Sequence, residues 1–303
     1  MTTTDAHTRR TILVTGATGN QGGAVVAGLL ARGWQVRALT RTPASRAARE
    51  LARAGAEIAA GSAADPASLK AAMEGVYGVF SVQPGALGSP PVPYETEIRW
   101  GCAVAEAAAA AGAGHVVYSS VAGADRSAGV AAFEAKLVIE RYIRQLGLPA
   151  TVVRPVSFVE NYADPAFGLG SGTLATPLAA TVPEQLIALA DVGAFVAMAF
   201  AAPGEYLGRT LTLAGDELTP PEIAAAISRA TGEQVSYLPV PLAALREHNP
   251  VLGAVIAFLN DGGGYGADLT EARRRHPGAL TFDAWLAAGG AARLTALLTH
   301  RTR

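Results

Sequence analysis

The sequence predicts an α/β protein with a Rossmann-type, doubly wound parallel sheet and a smaller helix-rich C-terminal lobe. Three observations predict it. Short β-favouring runs alternate with helix-period segments through the first half of the chain, the rhythm of a parallel sheet covered by helices. Those runs are apolar without alternation, as strands buried on both faces require. The first run enters a glycine cluster that opens a helix, in "TILVTGATGNQGGAVVAGLL", residues 11–30.

The expected strands are 11–15, 34–40, 56–60, 76–82, 114–119 and 149–154, with helices at 20–32, 43–54, 66–73, 94–112 and 130–146. In the first helix Val25, Val26, Leu29 and Leu30 share one face. Asp65-Pro66 starts the third, with a capping acid and a proline at the first helical position. Residues 155–185 are rich in Gly, Pro and Ala and read as loop. A strand near 184–189, a helix over 191–202 and a strand over 210–214 resemble one more βα unit returning to the sheet. Helices follow at 219–231, 241–247, 250–259, 267–275 and 281–296. The expected division is a disordered tail over 1–10, a dinucleotide-binding domain over 11–155 with 184–214 returning to it, and a substrate lobe of 156–183 and 215–296. That lobe is expected over the C-terminal edge of the sheet, where open α/β folds bind ligands.

Composition narrows the function. The 303 residues carry a net charge of −1, and their charges are spread along the chain, which argues against nucleic acid as partner. The lone Cys102 forms no internal disulfide and reads as a buried thiol. "MTTTDAHTRR" has no apolar stretch after its charges and reads as no secretory signal. The alanine stretch 103–113 is interrupted by Glu106 and is too weak for a membrane span. His7, His115, His248, His276 and His300 show no metal spacing, and His115 at a strand start reads as structural. The expectation is a cytoplasmic protein, monomer or homodimer, with a small-molecule substrate and without metal, membrane or nucleic acid.

Gly16-Ala17-Thr18-Gly19-Asn20-Gln21-Gly22 has the form G-x-x-G-x-x-G between a first strand and a helix, the context that a dinucleotide site requires. Glycines allow a tight turn and let the backbone approach a pyrophosphate, and the helix N-terminus supplies unpaired N–H groups. Thr18, Asn20 and Gln21 add side-chain donors; the plain alternative is a βα turn with no ligand. No Gly-Lys-Ser/Thr ends the loop, so it is not a nucleoside triphosphate P-loop. NAD sites place an acid about 20 residues further on. Here that stretch reads Leu39-Thr40-Arg41-Thr42-Pro43, without an acid. The planar fork of Arg41 suits a 2′-phosphate, helped by Thr40, Thr42, Ser45 and Arg46, so NADP(H) is expected over NAD(H).

"TGATGNQGG", "LTRTP", "SSVAGAD", "FEAKLVIERYIRQLGLPATVVRP", "SFVEN", "ALADVGAFVA" and "HPGALTFDAWL" occur in order. Together they resemble the NmrA-like family of atypical short-chain dehydrogenases, over about Thr11 to Trp285. The resemblance implies an NADP-preferring Rossmann domain with a small C-terminal lobe, in quinone or enone reductases, in cofactor-binding regulators or in redox sensors. It implies cofactor contacts at Gly16, Ala17, Thr18, Gly19, Asn20, Gln21, Arg41, Val82, Gln83, Lys136, Phe158, Glu160 and Asn161. The family's third strand tends to end Gly-Asp beside the adenine, whereas this one ends Gly61-Ser62, so Ser62 takes a weaker or replaced contact. Many relatives read Pro-His-Phe before the lysine where this chain has Ala131-Ala132-Phe133, which removes a possible acid.

Short-chain dehydrogenases pair a proton-donating Tyr with a Lys four residues on, on one helix face. The corresponding pair here is Ala132 and Lys136, so the phenol is absent. Lys136 remains a candidate to bind the nicotinamide ribose or relay a proton; spacing alone would pair it with Glu140. Ser119 and Ser120, ending the fifth strand, are candidates to orient a substrate, and Tyr118, Tyr94, Tyr162 and Tyr265 are alternative donors. Phe158, Phe167, Leu252, Ile256 and Phe258 are pocket or ordinary core residues, and 260–268 reads as a mobile segment near the substrate opening. Two functions stand: an NADPH-dependent reductase of a quinone, enone or imine without a Tyr-Lys pair, and a non-catalytic NADP(H) sensor or regulator.

Overall fold

The computed structural model describes residues 10–88, 90–127, 129–164, 169–170 and 172–299. The chain divides into two compact units.

The first unit takes residues up to Asp125, Ala131–Arg154 and Val192–Leu211. Its strands are β1 (Thr11–Val14), β2 (Gln35–Thr40), β3 (Glu57–Ala60), β4 (Gly78–Ser81), β5 (His115–Ser119) and β6 (Ala150–Pro155). The seven-stranded sheet runs from the strand Thr210–Leu213 through β6-β5-β4-β1-β2-β3. Strands β1 to β6 pair in parallel, with Val14 opposite Ala38 on one side and Phe80 on the other. The order reverses at β1, which sets the glycine turn leaving β1 at the switch point where such sheets bind ligands.

The helices are α1 (Asn20–Leu30), α2 (Arg46–Arg53), α3 (Pro66–Met73), α4 (Tyr94–Ala110), α5 (Ala131–Gln145) and α6 (Leu189–Ala201). The start of α3 is the one its sequence predicts: Asp65 Oδ1 accepts from the N–H groups of Ala67 and Ser68 at 3.0 and 3.3 Å. One core lies among Leu13, Leu39, Leu69, Met73, Val79, Val104 and Val116. A second holds Ala105, Tyr118, Ile139, Ile143 and Val152. Small residues bring the helices close. A Cβ on Gly28 would lie 2.5 Å from the Gly193 carbonyl carbon, and one on Gly101 would lie 2.5 Å from Ile139 Cδ1.

The second unit takes Arg126–Val130, Pro155–Asp191 and Thr212 onward. One three-stranded sheet sets Glu184–Ile187 between Ser157–Phe158, in parallel, and Asp216–Leu218, antiparallel. Another joins Leu169–Gly170, Thr173–Thr176 and Ser236–Pro239. A capping box between Thr219 and Glu222 starts the helix Pro220–Thr231, which packs with Leu186, Phe282, Trp285 and Leu294.

Several expectations differ from what is observed. The strand near 184–189 belongs to this small sheet and not to the seven-stranded one, although residues 192–211 do lie in the first unit. A short apolar strand carries no mark of its partner, because pairing is a tertiary choice. The stretch read as loop over 155–185 holds two-to-four-residue strands, too short for period-2 alternation to register. The last helix, expected unbroken over 281–296, is Phe282–Trp285, a π turn over Leu286–Gly290, then Ala291–Thr299. Gly289 bends it at φ 122°, and Gly290 lies under the Trp285 ring, where a Cβ would be 2.5 Å from Cε3. Cys102 is half-buried, on the outer side of α4 and not in its core. Among the described residues no helix is long and apolar enough to cross a membrane. Residues 1–9, His300 and Phe167 lie outside the described residues.

Candidate functional site

The glycine turn is built by contacts that only glycine permits. Gly16 has φ 61°, and a Cβ on it would lie 2.9 Å from Val82 Cγ1. A Cβ on Gly22 would lie 2.1 Å from the Gly16 carbonyl oxygen, so the start of α1 sits directly on the turn. Thr15 Oγ1 locks the turn to the end of β4, donating to Val82 O and accepting from Val82 N, both at 2.9 Å. Gly19 occupies the N-cap with no side-chain cap. The first N–H groups of α1 are therefore left for an anion, and the groove above them carries no Cβ at Gly16, Gly19 or Gly22. A pyrophosphate fits such a cradle.

Side chains around the turn have other engagements. Gln21 Nε2 donates to Ser119 Oγ at 2.6 Å, which joins the first turn of α1 to the end of β5. Gln83 Nε2 donates to Ser81 Oγ at 2.9 Å, while its Oε1 is buried without a hydrogen-bond partner among the described residues. Ser62 Oγ accepts from Ala64 N, and Ser62 N donates to Ser68 Oγ, both at 3.1 Å. Ser120 Oγ is buried and has no partner among the described residues.

Past β2, Arg41 is exposed, and no carboxylate among the described residues pairs with it. Its neighbours are committed locally. Thr40 Oγ1 accepts from Thr42 N, Ser45 caps α2 through Ala48 N, and Arg46 pairs with Glu50 at 2.7 Å. Of Arg41 and Arg46, Arg41 is the one without a carboxylate partner among the described residues.

Ala132 and Phe133 are buried on α5, where the absent phenol and its neighbour would stand. Lys136 does not pair with Glu140. Its Nζ lies 2.6 Å from Glu97 Oε1, with 15% of the lysine and 1% of the glutamate side chain exposed; the pair is an ion pair by distance, and Oε1 has no aligned hydrogen bond among the described residues. Glu140 is fully buried and taken by Arg154 through two hydrogen bonds of 2.9 Å, and by Arg144 at 2.7 Å. Arg154 also reaches Asp125 at 2.8 Å.

Sequence reasoning missed Glu97. A signal was present: Glu97 falls in phase with Gly101, Val104, Ala105 and Ala108, the buried face of α4. A carboxylate on a buried face requires a partner.

Burial makes Tyr118, Tyr162 and Tyr265 weak acids. Tyr118 is fully buried, its hydroxyl has no partner among the described residues, and burial beside Glu97 and Glu140 holds its pKa well above the phenol range. Tyr162 donates to Glu184 Oε2 at 2.5 Å, and burial raises both groups. Burial pushes Tyr265 up to about 12, and its hydroxyl lies 3.2 Å from Ser157 Oγ. Tyr94 is half-buried at the first residue of α4. His115 Nε2 lies 2.8 Å from Thr151 Oγ1, and burial lowers its pKa to about 4, so it is a neutral core residue. No cluster of metal-ligating side chains occurs among the described residues.

In the second unit Phe158 and Asn161 are half-buried, and both carboxylate oxygens of Glu160 accept from Leu189 N, at 3.2 and 3.1 Å. Glu160 thus caps the start of α6, with its pKa raised by burial. Leu252, Ile256 and Phe258 lie half-buried on the helix Pro250–Gly262, and Arg126 sits over the Phe258 ring at 5.7 Å. Hydrogen bonds hold the segment 260–268 at both ends. Asn260 holds Ala179 N and Pro177 O, and Ala267 exchanges hydrogen bonds with Gln185.

A parallel sheet with a glycine turn at its switch point defines the class, a Rossmann-type α/β protein. The NmrA-like family matches residues 8–285, and the chain belongs to that family. It is 33% identical over 262 residues to the NmrA-like oxidoreductase notA of Aspergillus sp. (strain MF297-2), covering 77% of this chain and 76% of that one. It is 34% identical over 228 residues to the (4-alkanoyl-5-oxo-2,5-dihydrofuran-3-yl)methyl phosphate reductase of Streptomyces griseus, covering 75% and 76%. Against two other fungal oxidoreductases, from Cladobotryum and Aspergillus hancockii, the match spans about half their length, 47% and 46%. Among solved structures, the NADPH-dependent quinone oxidoreductase QOR2 of Escherichia coli, solved with NADPH, shares the fold at TM-score 0.74 and 24% identity, over 91% of this chain and 99% of that one. The triphenylmethane reductase of Citrobacter does so at TM-score 0.77 and 22% identity, over 92% and 99%, and is solved with NADP(H).

Proposed function

We propose that this protein is an NADP(H)-dependent reductase of a small, fairly apolar acceptor of the quinone, enone or imine class. The observation that carries the reading is the Gly16–Gly22 cradle at the switch point, with Arg41 as an uncommitted cation beyond an acid-free β2. In this reading the backbone of residues 16–22 binds the pyrophosphate and Arg41 takes the 2′-phosphate. When bound, the cofactor supplies a hydride. Lys136 places a positive charge, and Ser119, whose oxygen already accepts from Gln21, has its own proton to donate. Kinship with a reductase named for a 5-oxo-2,5-dihydrofuran, an unsaturated carbonyl compound, and a fold shared with quinone and dye reductases support the acceptor class.

The proposed acceptors suit a site without a phenol at position 132. An iminium ion needs only hydride, and quinones and enones spread the charge they acquire over a conjugated system. The missing phenol also favours the second reading, a non-catalytic NADP(H) sensor or regulator. The working unit is proposed as a cytoplasmic monomer or homodimer. Following NADPH absorbance against quinones, enones and imines, with wild type and Lys136→Ala, decides between the readings. Turnover lost in the variant is expected; tight NADPH binding without oxidation of any acceptor would replace the reductase by the sensor.

A further inference from the structure

We propose that Glu97 is a positioning residue for the site: its buried carboxylate holds the Lys136 ammonium in place and presents it to the ribose hydroxyls of the cofactor. This rests on the reading above that Lys136 touches the cofactor.

The geometry is specific. The 2.6 Å contact joins α4 to α5, and the acid is 1% exposed, so water does not compete for it. The helix neighbour that spacing would offer, Glu140, is consumed by Arg144 and Arg154. The loop after β4 packs against the Glu97 carboxylate, where a Cβ on Gly85 would lie 2.4 Å from Oε2 and 3.1 Å from Oε1. That loop is itself folded by Gly88 N and Val92 N, which donate to Gly85 O at 2.9 and 3.1 Å. Glu97 is thus packed against the Gly85 loop and has Lys136 as its cation.

The physical consequence is preorganisation. A lysine side chain is long and loses rotamer freedom when it binds. The ion pair removes that freedom before a ligand arrives, so less is lost on binding. In Tyr-Lys enzymes the lysine works beside a phenol; here α5 offers Ala132, and orientation falls to an acid from another helix.

The test is a double-mutant cycle on NADPH affinity, read by cofactor fluorescence, with Glu97→Gln, Lys136→Ala and both together. Each single change is expected to weaken binding about tenfold, the scale of one charged hydrogen bond. The double variant is expected to bind no worse than Lys136→Ala, because Glu97 acts only through the lysine. Gly85→Ala, which crowds the carboxylate, is expected to mimic Glu97→Gln and to add nothing in the Lys136→Ala background. Unchanged affinity in Glu97→Gln, or losses that multiply in the double variant, would overturn the proposal. Should the wild type bind no NADPH, the cofactor reading falls, and the rate of Lys136 labelling by an amine-reactive reagent decides on Glu97. Faster labelling in Glu97→Gln would uphold the hold on the lysine, and an equal rate would remove it.

Discussion

Gln21 and Ser119, 98 residues apart in sequence, are joined by a 2.6 Å hydrogen bond from Nε2 to Oγ. The bond uses one of the two amide N–H groups of Gln21 and fixes the direction of its side chain. It also commits a lone pair of Ser119 and leaves the hydroxyl proton to point at an acceptor. Ser119→Ala is expected to lower kcat about tenfold, the scale of one neutral hydrogen bond, with the KM for NADPH unchanged. Steady-state kinetics checks this; equal losses in both parameters would mean that Ser119 serves cofactor binding instead.

Arg41 has no carboxylate partner among the described residues, and the role proposed for it would be selective. Arg41→Ala is expected to weaken NADPH binding about tenfold to a hundredfold and leave NADH nearly untouched. Parallel titrations measure the ratio. A uniform loss for both cofactors would remove Arg41 from the 2′-phosphate.

Gly22 lies against the Gly16 carbonyl, where an added Cβ would be 2.1 Å away from rigid backbone. Gly22→Ala is expected to displace the start of α1, to cost about 1–3 kcal/mol of stability, and to abolish NADPH binding. Gly23→Ala is the control, since its Cβ would meet Ala17 O at an ordinary 3.5 Å. Thermal unfolding and fluorescence titration of the two variants check the contrast.

Arg154 holds the fully buried Glu140 and also reaches Asp125. Arg154→Met leaves the buried Glu140 carboxylate with Arg144 alone and is expected to cost about 3 kcal/mol in urea unfolding, the low end for a broken buried pair. Adding Glu140→Met should restore much of that loss, because the under-compensated charge goes with it. A double variant no better than the single would mean that geometry, not charge, sets the cost.

His115 gives stability a pH dependence with a definite sign. Its folded pKa of about 4 lies below the unfolded value of 6.5, so the unfolded chain binds the extra proton. Its contribution is intact above pH 6.5 and is lost as pH falls towards 4, by about 3 kcal/mol. His115→Gln is expected to flatten this part of the profile, measured as unfolding free energy between pH 7 and pH 4.5. A variant with the same slope as wild type would assign the loss to other groups.

Local chemistry made much of the fold legible. Asp65-Pro66 announced α3, continuous apolar runs announced strands covered on both faces, and the glycines after β1 announced a turn that only they can form. Elements with weak local signals were not legible. Strands of two to four residues around 157 and 173–176 are too short for a period, and Gly289 breaks a helix whose apolar pattern continues through it. Around the site, the sequence offered Glu140 to Lys136 because i+4 neighbours share a helix face, and it could not weigh that offer against Arg154.

The sequence by itself determined the α/β class, the glycine turn, the missing phenol at Ala132 and the acid-free end of β2, since each depends on residues adjacent in the chain or on one element. Tertiary structure alone decided that Glu97 meets Lys136, that Gln21 meets Ser119, and that Glu184–Ile187 joins the small sheet. The reason is physical. A buried charge or a strand edge must be satisfied, but any complementary group brought near by packing can satisfy it, and which group comes near is decided by the approach of elements far apart in sequence.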